Sequence, residues 1–270
     1  MFGAILRGEV AEPGDRAGFA TPWQAGPVIA PDPGPSTSIE RLVATRSAWH
    51  ALAEHVLAPD LHRRTGRIGL RRTPGGFGQP GHVVDGIRRR VRVDGSYLVI
   101  DGDSAGESWN PNSTIRDACQ VVGLPVGART SAYEPSSTLE PDAPLVIEAS
   151  ASDELAAWFR LVEDAVEVFR RRHAGRHPSI AQLWPEHFDL ACSVGEVNYG
   201  GSPGDAGGVG RSEPYLYVGP WKPPSVGGFW NEPYGAAVSR SEVMSVDDAV
   251  AFFESGSVEA DRIRTATREN

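Results

Sequence analysis

Two stretches with helical apolar spacing each stand ahead of short alternating runs broken by glycine and proline, and this order occurs twice along the chain. The first carries Ile39, Leu42, Val43, Arg46, Trp49, Leu52, Ala53 and Val56; the second carries Leu155, Trp158, Phe159, Val162, Ala165, Val166 and Phe169. Such spacing gathers apolar side chains on one helix face, which must be buried against another layer. Ungapped alignment of residue 48 with residue 157 pairs Trp49 with Trp158, Leu52 with Leu161, Glu54 with Glu163 and Gly66 with Gly175. It yields seven identities in twenty positions, where chance gives about one or two. The predicted fold class is α+β: antiparallel sheet with packed helices. The repeat raises two duplicated helix–three-strand–helix halves forming one curved sheet. The other reading of the same identities is two amphipathic helices that share Trp and Arg because helices often do.

Punctuation by proline and glycine divides the 270 residues further. Residues 1–36 hold Pro13, Pro22, Pro27, Pro31, Pro33 and Pro35 and read as an irregular arm that Phe19 and Trp23 pin to the body. Residues 37–125 form the first half. Its helix starts near Ser38 and should end or kink at Pro59, which lacks an amide donor. Strands follow around Leu70, Val84, Val91 and Leu98, with Asp94-Gly95 as a hairpin signal. A short helix capped by Asn112 or Ser113 closes the half at Gly123. Residues 126–144 are a Pro-rich connection. Residues 145–256 form the second half: a long helix, a strand near 188–197, a glycine-rich loop from Tyr199 to Gly210, two short strands, and a helix stopped by Gly256. Residues 257–270 read as a frayed tail.

Composition narrows the function classes. At 40% hydrophobic and 23% charged the chain is ordinary for a folded domain. No apolar run approaches the roughly 18 residues of a membrane helix, and no signal peptide is read at the start. A net charge of −9 argues against phosphate-backbone binding, so neither nucleic acid nor membrane is an expected partner. Cys119 and Cys192 form no CxxC pair and read as buried thiols in a reducing cytoplasm. Lys222 is the one lysine among many arginines, a bias that fits a GC-rich bacterial genome. The glycines between 200 and 210 match no phosphate loop, and GxSxG is absent.

Three acidic or basic candidates remain for chemistry. His187 and Asp189 share one face of an extended segment because alternate residues point the same way. They could act as an acid/base couple, or take a metal with Glu213 as a third ligand. The competing reading is a capped strand entry with His187 hydrogen-bonded to a neighbour. His173 and His177 sit at a helix end broken by Gly175 and Pro178, so they suit the helix dipole better than a metal. Neither a metal nor a cofactor is predicted. Asn198, Tyr199, Tyr215, Trp221 and Trp230 lie in an aromatic, Gly/Pro-rich region and are candidate ligand-binding residues. The same aromatics could be a small core that holds the loops down.

The segments Leu183-Trp184-Pro185-Glu186-His187-Phe188-Asp189-Leu190-Ala191, Glu213-Pro214-Tyr215-Leu216-Tyr217-Val218-Gly219-Pro220-Trp221 and Gly228-Phe229-Trp230 resemble an uncharacterised family of bacterial, largely actinobacterial, proteins. The resemblance implies a bacterial cytoplasmic protein and carries no activity, cofactor or catalytic residue. The expected function is a non-enzymatic protein that binds an unknown small molecule or protein through the aromatic loops. The alternative is an enzyme of hydrolase-like type using His187, Asp189 and Glu213.

Overall fold

The structure, a computed structural model, describes residues 38–102, 107–109, 114–205 and 210–268. The expected N-terminal arm with Phe19 and Trp23, the cap candidates Asn112 and Ser113, and residues 206–209 of the glycine-rich loop lie outside the described residues.

The first half opens with helix α1 (Ile39–Leu52), which passes through a π-helical turn at Ala53–Leu57 into α2 (Ala58–Thr65). The helix therefore continues through Pro59 instead of ending there. Proline withholds an amide and crowds the carbonyl four residues back. The wider π turn just ahead of Pro59 takes up that mismatch. Gly66, with φ of 74°, then closes α2 in the left-handed conformation. Strands β1 (Arg71–Thr73), β2 (Gly76–Gly78), β3 (His82–Val84), β4 (Ile87–Asp94), β5 (Tyr97–Gly102) and β6 (Glu107–Trp109) form one antiparallel sheet in the order β1-β2-β4-β5-β6, with β3 on β4. The β4–β5 turn uses Gly95 and Ser96, one residue beyond the Asp94-Gly95 signal. Asp85 and Gly86, with φ of 52° and 81°, turn β3 into β4, as a primed two-residue turn requires. Helix α3 (Ile115–Val122) completes the half, capped by Thr114 and Asp117 in a reciprocal capping box.

The second half repeats the order. Helix α4 (Ala149–Arg172) precedes β7 (Gln182–Trp184), β8 (Asp189–Val194), β9 (Val197–Ser202), β10 (Tyr215–Pro220) and β11 (Ala236–Ser239), and α5 (Val246–Arg268) follows. These five strands also form an antiparallel meander, β7-β8-β9-β10-β11, curled into a half-barrel. Each meander is longer than the three strands read from sequence. The sheets meet where Leu70, just before β1, and Leu183 of β7 exchange backbone hydrogen bonds of 2.9 and 3.0 Å. Helix α4 packs on β1 and β2 as well as on β8 and β9, so one apolar core spans both halves. Trp49 and Trp158 are both fully buried in it. Each donates its indole N–H to a backbone carbonyl of its own half, Trp49 to Gly95 at 3.1 Å and Trp158 to Ser202 at 2.9 Å. Burying one indole removes on the order of 200 Å² from water, roughly 5 kcal/mol as an upper bound.

Two glycine readings change. The stretch expected to loop from Tyr199 is strand β9 as far as Ser202. Gly201 lies under α4, where an added Cβ would sit 2.5 Å from Val162 Cγ2 and 3.2 Å from Trp158 Cζ2. Gly256 does not stop α5, which continues to Arg268 through the expected tail. An added Cβ at Gly256 would lie 2.6 Å from Val218 Cγ2. Both glycines bring a helix close to the half-barrel; neither breaks its element. Among the described residues no helix is long and apolar enough to cross a membrane.

Candidate functional site

Trp184 pairs with Asp189 across the β7–β8 hairpin, leaving Pro185, Glu186, His187 and Phe188 as its turn. Phe188 has φ of 51°. A bulky residue rarely adopts this region, at about 1–2 kcal/mol. Its ring holds it there: it stacks on His50 at 5.3 Å between centroids and meets Phe77 and Phe159 edge-on at 5.1 and 5.5 Å. With Phe188 anchored inward, His187 is left exposed and Glu186 half-buried at the turn.

Opposite the turn runs a polar stripe on α1 and its π turn. Arg46, His50 and Glu54 are spaced four apart and share one face. All three are buried. Arg46 donates to the carbonyls of Ser212 at 2.9 Å and Pro203 at 3.3 Å, and also to Asp205. It thereby ties both ends of the loop after β9 to α1. His50 Nε2 lies 2.9 Å from the Pro185 carbonyl, so that nitrogen carries the proton. Glu54 accepts from the amides of Ser136 at 2.8 Å and Ser137 at 2.7 Å and from the Ser137 hydroxyl. His55, the next residue, reaches the same segment at the Ser137 carbonyl. The π turn lets two successive side chains face one partner. Ser136 Oγ also donates to the Glu186 carbonyl at 3.1 Å, so the Pro-rich connection is fastened to both halves.

These pieces bound a cleft of about 180 Å³ lined by Arg46, His50, Ser136, Glu186, His187, Phe188 and Asp205. Its electrostatics are unusual. Burial raises the Glu186 carboxyl above the ordinary carboxylate range, with Asp189 and Glu54 pushing the same way. Burial likewise raises Asp189. Burial lowers His50, against the pull of Glu54. Glu186 Oε2, Asp189 Oδ1, Arg46 Nε and the Tyr133 hydroxyl are buried with no hydrogen-bond partner among the described residues. Such atoms are rare in folded proteins.

The sequence candidates fall in different places. His187 and Asp189 come together, and the charge of His187 favours ionisation of Asp189. Asp189 is buried in the sheet and accepts a hydrogen bond from Tyr217. Glu213 is exposed on the approach to β10, beside Ser212, whose carbonyl takes Arg46. Tyr199 sits on the helix-covered face between Phe169 and Phe253, at 4.4 and 6.1 Å. Asn198 is on the opposite face, accepting from Ser193 at 2.7 Å and Trp221 at 3.2 Å. Tyr215 donates to Asp205 at 2.8 Å under the Arg211 guanidinium. Trp221 is 41% exposed, whereas Trp230 is buried against Phe229, which packs on Phe252. The aromatic region is thus split between the core and the opposite sheet face. Among the described residues no group of three or more His, Cys, Asp or Glu is placed to hold a metal.

Arg46, His50, Ser136 and Asp205 were not candidates from sequence. The readable signal was the polar spacing of Arg46, His50 and Glu54 within an apolar helix, which puts charge on a face that must be buried. Comparison of the chain with protein-family models, with curated proteins and with solved structures finds no match.

Proposed function

We propose that this is a non-enzymatic binding protein whose ligand seat is the cleft between α1, the Ser136 segment and the β7–β8 turn. One observation carries the reading: the left-handed Phe188 and the unpartnered Arg46 Nε and Glu186 Oε2 line one cleft. The left-handed Phe188, the π turn and the unpartnered carboxylate oxygens of Glu186 and Asp189 each cost stability. Strain and unsatisfied polar groups cluster where a protein must hold a binding geometry. The aromatic loops contribute indirectly, since Tyr215 orients Asp205 at the rim. The ligand is a small molecule, because a cavity of about 150 Å³ already holds benzene. The resemblance to uncharacterised bacterial proteins adds no activity, so the reading rests on the geometry alone. The buried free thiols Cys119 and Cys192, the latter pushed up to about 12 by burial, fit a reducing cytoplasm, where we place the protein. We also ascribe the two halves to duplication, on the matching meanders and the two equivalent tryptophans.

The test uses Ser47, an exposed cleft residue whose hydroxyl donates back to the Val43 carbonyl. A ligand at a hundredfold its Kd stabilises the native state by about 2.7 kcal/mol. Ser47→Trp should fill the cleft and abolish the thermal shift given by any small-molecule hit. A hit that stabilises wild type and Ser47→Trp equally binds elsewhere and overturns the reading. The hydrolase-like alternative draws on the proximity of His187 to Glu186 and Asp189. It predicts turnover of an activated ester that vanishes in His187→Ala.

A further inference from the structure

Resting on the cleft reading above, we propose that the ligand is a small neutral amide, with a carbonyl oxygen for Arg46 and an N–H for Glu186. Most polar atoms of the cleft are already engaged. Arg46 gives its Nη groups to the carbonyls of Pro203, Ser212 and Asp205. His50 Nε2 meets the Pro185 carbonyl, and Ser136 Oγ donates to the Glu186 carbonyl. Ser47 Oγ is turned back to Val43, and the Gly204 amide and carbonyl both bond the Ser202 hydroxyl. Asp205 holds Tyr215 with Oδ1 and the Arg211 amide with Oδ2. His187 acts through its charge on Glu186 and Asp189. Two lining atoms are buried with no hydrogen-bond partner among the described residues: Arg46 Nε and Glu186 Oε2.

The two atoms ask for opposite things. A guanidinium nitrogen only donates, and a carboxylate oxygen only accepts. Arg46 is 3% exposed, and its bound Nη groups fix the plane of the guanidinium, so Nε–H cannot turn to another acceptor. An amide carries an acceptor and a donor on neighbouring atoms. Its oxygen has two lone pairs, so it takes the Nε–H and still has room for a proton on Glu186, whose neutral form is favoured by burial. The amide N–H serves the same carboxyl when it is ionised. Charge does not favour an ion: Arg46 is a cation while Glu186 and Asp205 are acids, so a ligand of either sign meets a like charge as well as an opposite one. A zwitterion has the right signs but must desolvate two charges, where an amide desolvates none. The cleft of about 180 Å³ takes roughly six to eight non-hydrogen atoms. Phe188, among its lining residues, supplies apolar contact for a short alkyl group.

Propionamide, butan-2-one, butylammonium, propionate and glycine have equal numbers of non-hydrogen atoms and separate these cases. Each is titrated into the full chain, in the millimolar range that so small a molecule calls for, while the amide signals of Ser136, His187 and Gly204 are followed by NMR. Propionamide should move these signals at a concentration at least tenfold below that needed by any other probe, with no dependence on salt. Glu186→Leu keeps the backbone carbonyl that holds Ser136. In that variant propionamide should lose its advantage over butan-2-one, because the ketone offers Arg46 the same acceptor and no donor. If any other probe binds wild type as tightly as propionamide, or the amide keeps its advantage in Glu186→Leu, the amide assignment is wrong while the cleft stands. If none of the probes moves these signals, the cleft reading fails and the assignment with it.

Discussion

Asp189 is the residue at which the fold resists its own chemistry. It is buried, accepts from Tyr217 with one oxygen, and has no hydrogen-bond partner for the other among the described residues. Burial raises its carboxyl above the unfolded value of about 3.9. A raised acid binds its proton more tightly when folded, so its contribution is complete below about pH 3.9 and is lost as pH rises through the folded value. Asp189→Asn keeps an acceptor for Tyr217 and removes the charge. It should therefore stabilise the protein at pH 7, on the order of 1–3 kcal/mol, with the difference shrinking toward pH 4. Urea denaturation across that range checks this; a variant less stable than wild type at pH 7 would show that the carboxylate is held by an attraction. Phe188 is the complementary case, strained in backbone and anchored by its ring. Phe188→Ala should cost roughly 3–5 kcal/mol. Phe188→Gly, free of the left-handed penalty, should cost about 1 kcal/mol less. Equal losses would mean that the positive φ is not retained once the ring is gone.

At the scale of elements, glycine content is governed by contact more than by flexibility. Gly201 admits α4 onto β9, and Gly256 admits Val218 of β10 onto α5. In an isolated helix alanine would be better than glycine by about 1 kcal/mol. At position 256 its methyl would press on a short, branched side chain that cannot swing away, and overpacking costs roughly 1–3 kcal/mol. Gly256→Ala should thus lower the melting temperature, and a rise would show that α5 can lift from β10 at little cost. The outer strand β11 is closed in a different manner. Asn231 donates to and accepts from the backbone of Ala237, at 2.9 and 2.8 Å, as a neighbouring strand would. An occupied edge offers no template for pairing with another chain.

At the scale of the whole molecule, Glu54 is the node where the first half holds the connection. Three donors from Ser136 and Ser137 end on its carboxylate. Glu54→Ala orphans the two amides, each loss worth about 1–3 kcal/mol where water cannot replace the bond. The Ser136 and Ser137 amides should then exchange hydrogen much faster while those of β8 and β9 keep their protection. Unchanged exchange at Ser136 and Ser137 would show that the connection is held by other contacts. The sequence by itself determined which faces of α1 and α4 are apolar, the twice-repeated order of helix and strands, and the burial of Trp49 and Trp158. Those follow from periodicity, a local record of which side meets the core. Phe188, in a segment read as strand, is buried from the β7–β8 turn instead. The sequence also brought His187 and Asp189 to notice as alternate residues of a segment read as extended, whereas His187 stands exposed in the turn and Asp189 is buried at the start of β8. Only the tertiary structure decided that Arg46 meets Asp205 across 159 positions, that Gly201 and Gly256 are contact points, and that Glu186 and His50 line one cleft. The physical reason is that a cleft is made by segments with no common period. Nothing in the spacing around residue 46 encodes where residue 205 will lie; the shared core on α4 settles that.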